Sequence, residues 1–80
     1  MVRLRFFARY AELLGREEAM LDVPLPATVA DVVRQVRDEI PGGEQLPERP
    51  MAALNFKHVH LDAAVGDGDE VAFLPPLAGG

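Results

Sequence analysis

The group best suited to chemistry in this chain is the C-terminal carboxylate of Gly80, which follows Gly79. Neither glycine has a Cβ, so this end of the backbone can enter a passage too narrow for an ordinary side chain. The carboxylate is therefore a candidate reactive centre that a partner could draw into its own pocket. We expect Gly79 to be needed for that passage.

A proline pair, Pro75-Pro76, precedes the segment Leu77-Ala78 and the two glycines. Proline lacks a backbone N–H and has a nearly fixed φ, so the pair should stop the preceding strand and start an extended tail. At about 3.3–3.6 Å per residue, a tail of residues 75–80 would span roughly 20 Å. We interpret Pro75, Pro76, Leu77 and Ala78 as residues that contact a partner.

Other residues offer little chemistry of their own. The chain has no cysteine, which excludes thiol reactions and cysteine-ligated zinc. Lys57, His58 and His60 superficially suggest a metal site, but no third convincing ligand accompanies the two histidines. The run Gly66–Asp69 precedes a strand and is typical of a tight turn rather than a phosphate or calcium loop. We predict no metal site and no bound cofactor, and we expect catalytic groups to belong to partner proteins.

Size and charge narrow the class of protein further. Eighty residues form one small domain, residues 1–80, without room for a second core. The net charge of −5 argues against nucleic acid and makes a basic partner surface more plausible. No stretch approaches about 20 apolar residues, so we expect no membrane segment and a cytoplasmic protein.

The first half of the chain changes its hydrophobic period twice. Residues 2–9 alternate with Val2, Leu4, Phe6 and Ala8 on one face, which predicts a half-buried strand. Residues 10–14 offer one helical turn that ends at Gly15, and residues 18–23 alternate again as a second strand. Thr28 and Asp31 resemble a capping box at the start of a helix over residues 29–40. Its apolar positions are Val29, Val32, Val33, Val36 and Ile40.

The second half predicts a polar loop over residues 41–50 and then short strands at 51–55, 59–61 and 70–74, with a turn at Asp67-Gly68. If the first and last strands pair in parallel, the main helix lies across one face of the sheet. The predicted fold class is α+β. It is a ubiquitin-like β-grasp, with a mixed sheet of four to five strands packed on one main helix plus a short helix.

Alternation also predicts an exposed patch where the tail begins. If Phe6 faces the helix, Phe7 faces outward, and Leu74 does so on the last strand, so the two should converge beside the tail. His58 and His60 on a nearby strand would form the rim. Exposed apolar patches often mark interfaces, although single exposed hydrophobic side chains are normal. Arg3, Arg5 and Arg9 share the outer face and could meet partner carboxylates, but a solvated charged face is the commoner explanation.

Three segments together resemble the molybdopterin synthase small subunit family. The closing run, residues 67–80, reads DGDEVAFLPPLAGG and resembles that family's C-terminal signature. The opening run, residues 4–15, reads LRFFARYAELLG and is similar to its first strand and inserted helix. Residues 52–55, AALN, resemble its third strand, whereas residues 41–50 match no part of the pattern.

The resemblance implies a sulfur carrier in molybdenum cofactor biosynthesis. A ubiquitin-activating-type adenylyltransferase would use ATP to adenylate Gly80, and a sulfur donor would convert the carboxylate to a thiocarboxylate. The large synthase subunit would bind the tail, and sulfur would pass to cyclic pyranopterin monophosphate, two carriers being consumed per product in a heterotetramer. The chain itself would be a non-catalytic carrier subunit of a sulfurtransferase.

Two other functions stay open from the sequence. One is a sulfur carrier for thiamine thiazole or tRNA thiolation, which would share the Gly-Gly chemistry but deliver to another acceptor. The other is a ubiquitin-like modifier or interaction module whose terminus forms isopeptide bonds with lysines. The inserted helical turn and the Phe-Leu-Pro-Pro ending favour the synthase subunit.

Overall fold

A computed structural model describes residues 1–76 of the chain. Two helices, one 3-10 turn and seven strands follow one another in that range. They are β1 (Val2–Phe6), α1 (Arg9–Leu14), β2 (Glu18–Leu21), β3 (Ala27–Thr28), α2 (Val29–Glu39), the 3-10 turn (Gly43–Gln45), β4 (Met51–Leu54), β5 (Lys57–Val59), β6 (Ala64–Val65) and β7 (Glu70–Leu74).

The main sheet has the strand order β2-β1-β7-β4-β5. β1 and β7 are parallel, and every other pair of neighbours in this sheet is antiparallel. A second, two-stranded sheet joins β3 to β6, and the sequence pattern did not predict either of these short strands. The mixed sheet with α2 against one face confirms the predicted ubiquitin-like β-grasp.

The core lies between α2 and the inward face of the main sheet. Of the residues predicted to face inward from the first strand, Val2, Leu4 and Phe6 are buried, whereas Ala8 lies beyond the end of β1 and is exposed. Phe6 stacks on Phe73 of β7, with ring centroids 5.9 Å apart and planes 22° from parallel. Offset aromatic pairs of this kind stabilise a core by about 0.5–1.5 kcal/mol beyond the burial of their area. The buried face of α2 consists of Val29, Val32, Val33 and Val36, as its period predicted.

The capping box at the start of α2 is present as predicted. The Asp31 N–H donates to Thr28 Oγ1 at 3.2 Å, and the Thr28 N–H donates to Asp31 Oδ2 at 2.9 Å. These bonds satisfy two backbone donors that a helix start leaves without partners. The Thr28 N–H, with further help from Arg34 and the Thr28 hydroxyl, lowers the pKa of Asp31 below its ordinary value.

The loop over residues 41–50 differs from the polar connection that the sequence predicted. Leu46 is fully buried in the core, and the Arg37 side chain donates to the Leu46 carbonyl from α2. The 3-10 turn lies so close to α2 that a Cβ on Gly43 would stand 2.0 Å from the Val36 carbonyl oxygen. Only glycine fits there, so this loop is part of the packed body.

Several predicted strand boundaries were wrong. β2 ends at Leu21 rather than at residue 23, and β4 ends at Leu54 rather than at residue 55. β1 ends at Phe6 rather than at residue 9, because Ala8 has a φ of 50° and Arg9 already belongs to α1. The short strand expected at residues 59–61 is β5, Lys57–Val59, so His60 lies beyond its end. A two-residue connection, Asn55-Phe56, joins β4 to β5.

The Asn55-Phe56 connection has positive φ at both residues, 49° and 73°. Two-residue hairpins favour such turns because their twist matches that of the flanking strands. Asparagine tolerates this region, but a bulky residue such as Phe56 is strained in it. The Phe56 side chain is 81% exposed and therefore gains little packing in return.

Within residues 1–76, no helix combines the length and the apolar character that crossing a membrane requires.

We predict that Phe56→Gly stabilises the domain, because glycine adopts a positive φ without a Cβ penalty. Relief of strain worth about 1–3 kcal/mol should outweigh the backbone entropy of glycine, about 0.5–1 kcal/mol. A net gain of about 1 kcal/mol would raise the melting temperature by about 4–8 °C. Phe56→Ala is the control, since it removes the ring and keeps the Cβ. Equal melting temperatures for the two variants would contradict the strain argument.

A second prediction concerns pH and Asp31. Because folding lowers the pKa of this carboxyl, its stabilisation is complete above its unfolded pKa and is lost as pH falls through the folded value. Asp31→Asn should therefore be less stable than the unmodified protein near neutral pH. The difference in urea midpoint between the two should shrink as the pH falls below the ordinary pKa of an aspartate, about 3.9, and through the lowered value in the folded protein. A constant difference across that range would show that the carboxylate charge plays no part in the cap.

Candidate functional site

Three apolar side chains form a row across the outer face of the sheet, the face opposite α2. Leu74 of β7 pairs with Met51 of β4, and Phe7 continues β1 on the other side of β7. The Phe7 N–H donates to the Phe73 carbonyl at 3.3 Å, which places Phe7 beside Leu74. At about 4.8 Å per strand the row is roughly 10 Å wide. We call Phe7, Leu74 and Met51 the exit patch.

The exit patch is accessible in the structure. Phe7 is 37% exposed, Met51 is 44% exposed and Leu74 is half-buried. The alternation pattern correctly predicted that Phe7 and Leu74 lie side by side. It did not predict Met51, because only the register of β4 against β7 puts this residue opposite Leu74. Large apolar side chains grouped on one face are typical of a docking surface.

A second row runs parallel to the exit patch, one step further along the strands. It contains Arg5, Ala72, Ala53 and His58, on four neighbouring strands. The two alanines carry only methyl groups, so no long side chain projects from the sheet between Arg5 and His58. His58 is exposed on the outer face as predicted, although it lies on edge strand β5, about three strand spacings from Arg5. His60, expected beside it, is outside β5.

A tight turn holds Phe7 in place. The Tyr10 N–H donates to the Phe7 carbonyl at 3.0 Å, and Ala8 between them has φ 50° and ψ −124°. Those angles are typical of the first central position of a type II′ turn, which normally favours glycine. Tyr10 is buried below the turn, and this burial raises the pKa of its hydroxyl. Tyr10 thus anchors the turn that presents Phe7.

The opposite end of β7 is fixed by a polar network. Asp69 accepts from the Gly66 N–H at 2.7 Å and from Asn55 Nδ2 at 3.0 Å. The Asn55 side-chain oxygen in turn accepts from the Glu70 N–H at 3.0 Å. The Gly66 bond, followed by that from Asn55, lowers the pKa of Asp69. The run of residues 66–69 is therefore the tight turn that the sequence predicted.

The last strand ends at the predicted residue. β7 ends at Leu74, directly before Pro75, which is half-buried, and Pro76, which is exposed. The predicted site residues Leu77, Ala78, Gly79 and Gly80 lie outside the described residues. Since the chain continues from Pro76, its last residues are attached beside the exit patch.

An open groove of about 920 Å³ adjoins the exit patch at Met51. Residues 48–51 and 59–62 form its two sides, so His60 lines this groove instead of sharing a strand with His58. Charges of both signs line it, including Glu48, Arg49 and Asp62. The sequence pattern gave no signal for the groove, because it depends on how two loops pack.

Comparison with known proteins decides the family. The model of the ThiS family matches residues 4–80, which is nearly the whole chain and includes the exit patch and the C-terminal glycines. The chain belongs to the ThiS family. The predicted resemblance to molybdopterin synthase sulfur carrier subunits is confirmed as well. This ThiS-family protein is 32% identical to the subunit from Escherichia coli, with full coverage of both chains.

Other relatives of this ThiS-family protein carry a different description. It is 37% identical to small archaeal modifier protein 3 from Haloferax volcanii, over 99% of this chain and 98% of that protein. Among solved structures, small archaeal modifier protein 1 from Haloferax volcanii superposes with a TM-score of 0.82 at 27% identity, covering 95% and 97% of the two chains. A putative molybdopterin converting factor subunit 1 from Pyrococcus furiosus gives a TM-score of 0.79 at 26% identity, with coverage of 95% and 97%.

These findings establish a ubiquitin-like protein of the sulfur-carrier type. Its described surface has an exposed apolar patch beside the end of β7, from which the chain continues to the Gly-Gly terminus. The relatives bear two kinds of name, sulfur carrier and modifier, and both uses are compatible with this arrangement.

Proposed function

We propose that the protein is the sulfur carrier subunit of a molybdopterin synthase. The observation that carries the proposal is the exit patch, which lies at the attachment of a tail that ends in Gly79-Gly80. Likeness to molybdopterin synthase sulfur carrier subunits over the full chain supports it. In this proposal the exit patch docks on the large subunit while the tail delivers sulfur.

Carboxylate chemistry explains why the carrier needs partners. A free carboxylate is a poor electrophile, so its carbon must first receive a good leaving group. An activating enzyme of the ubiquitin-activating type would join the Gly80 carboxylate to the α-phosphate of ATP and release pyrophosphate. A sulfur donor would then displace AMP and leave a thiocarboxylate. ATP is thus used by the activating enzyme, and no cofactor is assigned to the carrier.

The second step would take place on the large subunit in the cytoplasm. The tail, residues 75–80, would enter that subunit, and the thiocarboxylate of Gly80 would give its sulfur to cyclic pyranopterin monophosphate. Gly79 would cross the narrowest part of the path, because it has no Cβ. Pro75, Pro76, Leu77 and Ala78 would contact the walls, and catalytic side chains would come from the large subunit.

A protein modifier is the second candidate. It is favoured by the 37% identity to small archaeal modifier protein 3. In that case the activated Gly80 would be attacked by a lysine amine and would form an isopeptide bond. Delivery of sulfur to a thiazole or tRNA acceptor remains a further alternative, with the same first step. The activated carboxylate is common to all three, so the acceptor must be tested separately.

The first test is the intact mass of the carrier. After incubation with ATP, an activating enzyme and a sulfur source, the mass should rise by about 16 Da as one oxygen is replaced by sulfur. Addition of the large subunit and cyclic pyranopterin monophosphate should return the mass to its starting value and yield molybdopterin. Loading without transfer, together with covalent attachment to lysines of other proteins, would favour the modifier.

Gly79→Ala tests the role of the tail. The added Cβ should leave the melting temperature unchanged, because the last strand of the sheet already ends at Leu74, but it should reduce thiocarboxylate formation strongly. Ala78→Gly is the control, since it removes a Cβ from the neighbouring position. Loading of Gly79→Ala at the rate of the unmodified protein would refute the narrow passage.

Leu74→Asp tests the exit patch. A charge at this position should weaken binding to the large subunit by about 10–100-fold, because the carboxylate would be desolvated in an apolar contact. Met20→Asp is the matched control, since Met20 is 54% exposed on the same sheet face but lies on β2. Isothermal titration calorimetry gives both affinities. Equal effects of the two substitutions would remove the exit patch from the proposal.

A further inference from the structure

Arg5 occupies the centre of the outer face, directly behind the exit patch. It lies between Glu18 of β2 and Ala72 of β7 in the register of the sheet. Its guanidinium carbon stands 5.0 Å from the centroid of the Phe7 ring, close enough for a cation–π contact. Since residues i and i+2 of a strand share a face, this contact also shows that Phe7 faces outward.

The Arg5 side chain has unused hydrogen-bonding capacity. Its Nε is buried and finds no hydrogen-bond partner among the described residues. A buried donor without a partner destabilises the free protein, so a partner that accepts this hydrogen bond would be favoured. In residues 1–76, Arg5 also forms no ion pair within 4.0 Å, even with its cross-strand neighbour Glu18.

Other arginines of the body are engaged differently. Arg3, in the next row of the same face, is 4.0 Å from Glu70. Arg34 on α2 pairs with Asp31 at 2.7 Å, and Arg37 donates to backbone carbonyls in the 3-10 loop. Arg5 therefore differs in combining partial burial, an aromatic contact and a charge that pairs with no carboxylate within 4.0 Å among the described residues.

The Arg5 side chain is preorganised to bind a carboxylate. Stacking on Phe7 restricts the side chain before any partner arrives, so less conformational entropy is lost on binding. The planar guanidinium can donate two parallel hydrogen bonds to a carboxylate, and such charge-assisted pairs are strong. The apolar exit patch next to it would exclude water from the contact. Arginine is accordingly enriched at the residues that dominate binding in interfaces.

We infer that Arg5 is the polar anchor of the docking surface and binds an aspartate or glutamate carboxylate on the large subunit. The surface that fits is apolar against Phe7, Leu74 and Met51, with one carboxylate placed over Arg5. The chain has a net charge of −5, so this acid is selected by local contact and not by long-range attraction. The inference rests on the proposed function, because it names a contact of the same complex.

The test compares Arg5→Met with Arg34→Met in the full-length chain. Both remove one positive charge, but Arg34 lies on α2, away from the outer face. Arg5→Met should raise the dissociation constant for the large subunit by about 10–100-fold, and Arg5→Lys should recover only part of the loss. Arg34→Met should bind as the unmodified protein does. Melting temperatures and thiocarboxylate loading check that each variant is folded.

A double-mutant cycle identifies the acid. Each surface Asp or Glu of the large subunit is changed to Asn or Gln and combined with Arg5→Met. One of them should be coupled to Arg5 by about fivefold or more in affinity, while the remainder are additive. Unchanged affinity of Arg5→Met, or additivity at every acid, would overturn the inference while leaving the carrier function intact. Failure of the unmodified protein to bind the large subunit would overturn both.

Discussion

The parallel pairing of β1 and β7 is the constraint on which the rest of this structure depends. It joins the first and last strands of the described body, and the stacked rings of Phe6 and Phe73 fix its register from the core side. A shift of one residue would turn every side chain of a strand to the other face. Burial of Phe6 and Phe73 thus determines that Phe7 and Leu74 face outward together.

In the proposed function this register matters, because β7 carries Leu74 of the exit patch and leads into the tail. At the end of β7, Phe73 packs in the core and Leu74 lies in the exit patch. Pro75 follows directly and ends the strand. The turn at Ala8 performs a similar task on β1, since it ends the strand and leaves Phe7 at the rim. In the proposed function, residues 1–76 position the start of the tail and the exit patch. The chemistry is expected to reside in the tail and in the partners.

Local patterns in the sequence predicted most of the elements. Alternation identified the inward residues of β1, the spacing of valines identified α2, and Thr28 with Asp31 identified its cap. These features depend on neighbours in the chain, which a sequence displays directly. The Phe7 and Leu74 surface also followed from alternation once the parallel pairing was assumed.

Features that depend on distant contacts were not predictable in the same way. Leu46 stands alone in a polar, proline-flanked segment, and nothing in its neighbourhood indicates that it completes the core. Met51 joins the exit patch only through its register with Leu74, and Asn55-Phe56 lacks the glycine that usually marks a tight hairpin. The interaction of Arg5 with Phe7 likewise required knowledge of side-chain direction.

The position of β7 inside the sheet has a mechanical consequence. The strand is hydrogen-bonded to β1 on one side and to β4 on the other, and its C-terminal end leads into the tail. A partner that binds the tail and pulls on it would apply force along the axis of β7. The hydrogen bonds to β1 and to β4 would then resist together instead of breaking one after another. An enzyme could therefore pull on the terminus during loading or release without unfolding the domain, whereas a tail on an edge strand would be held by one ladder only.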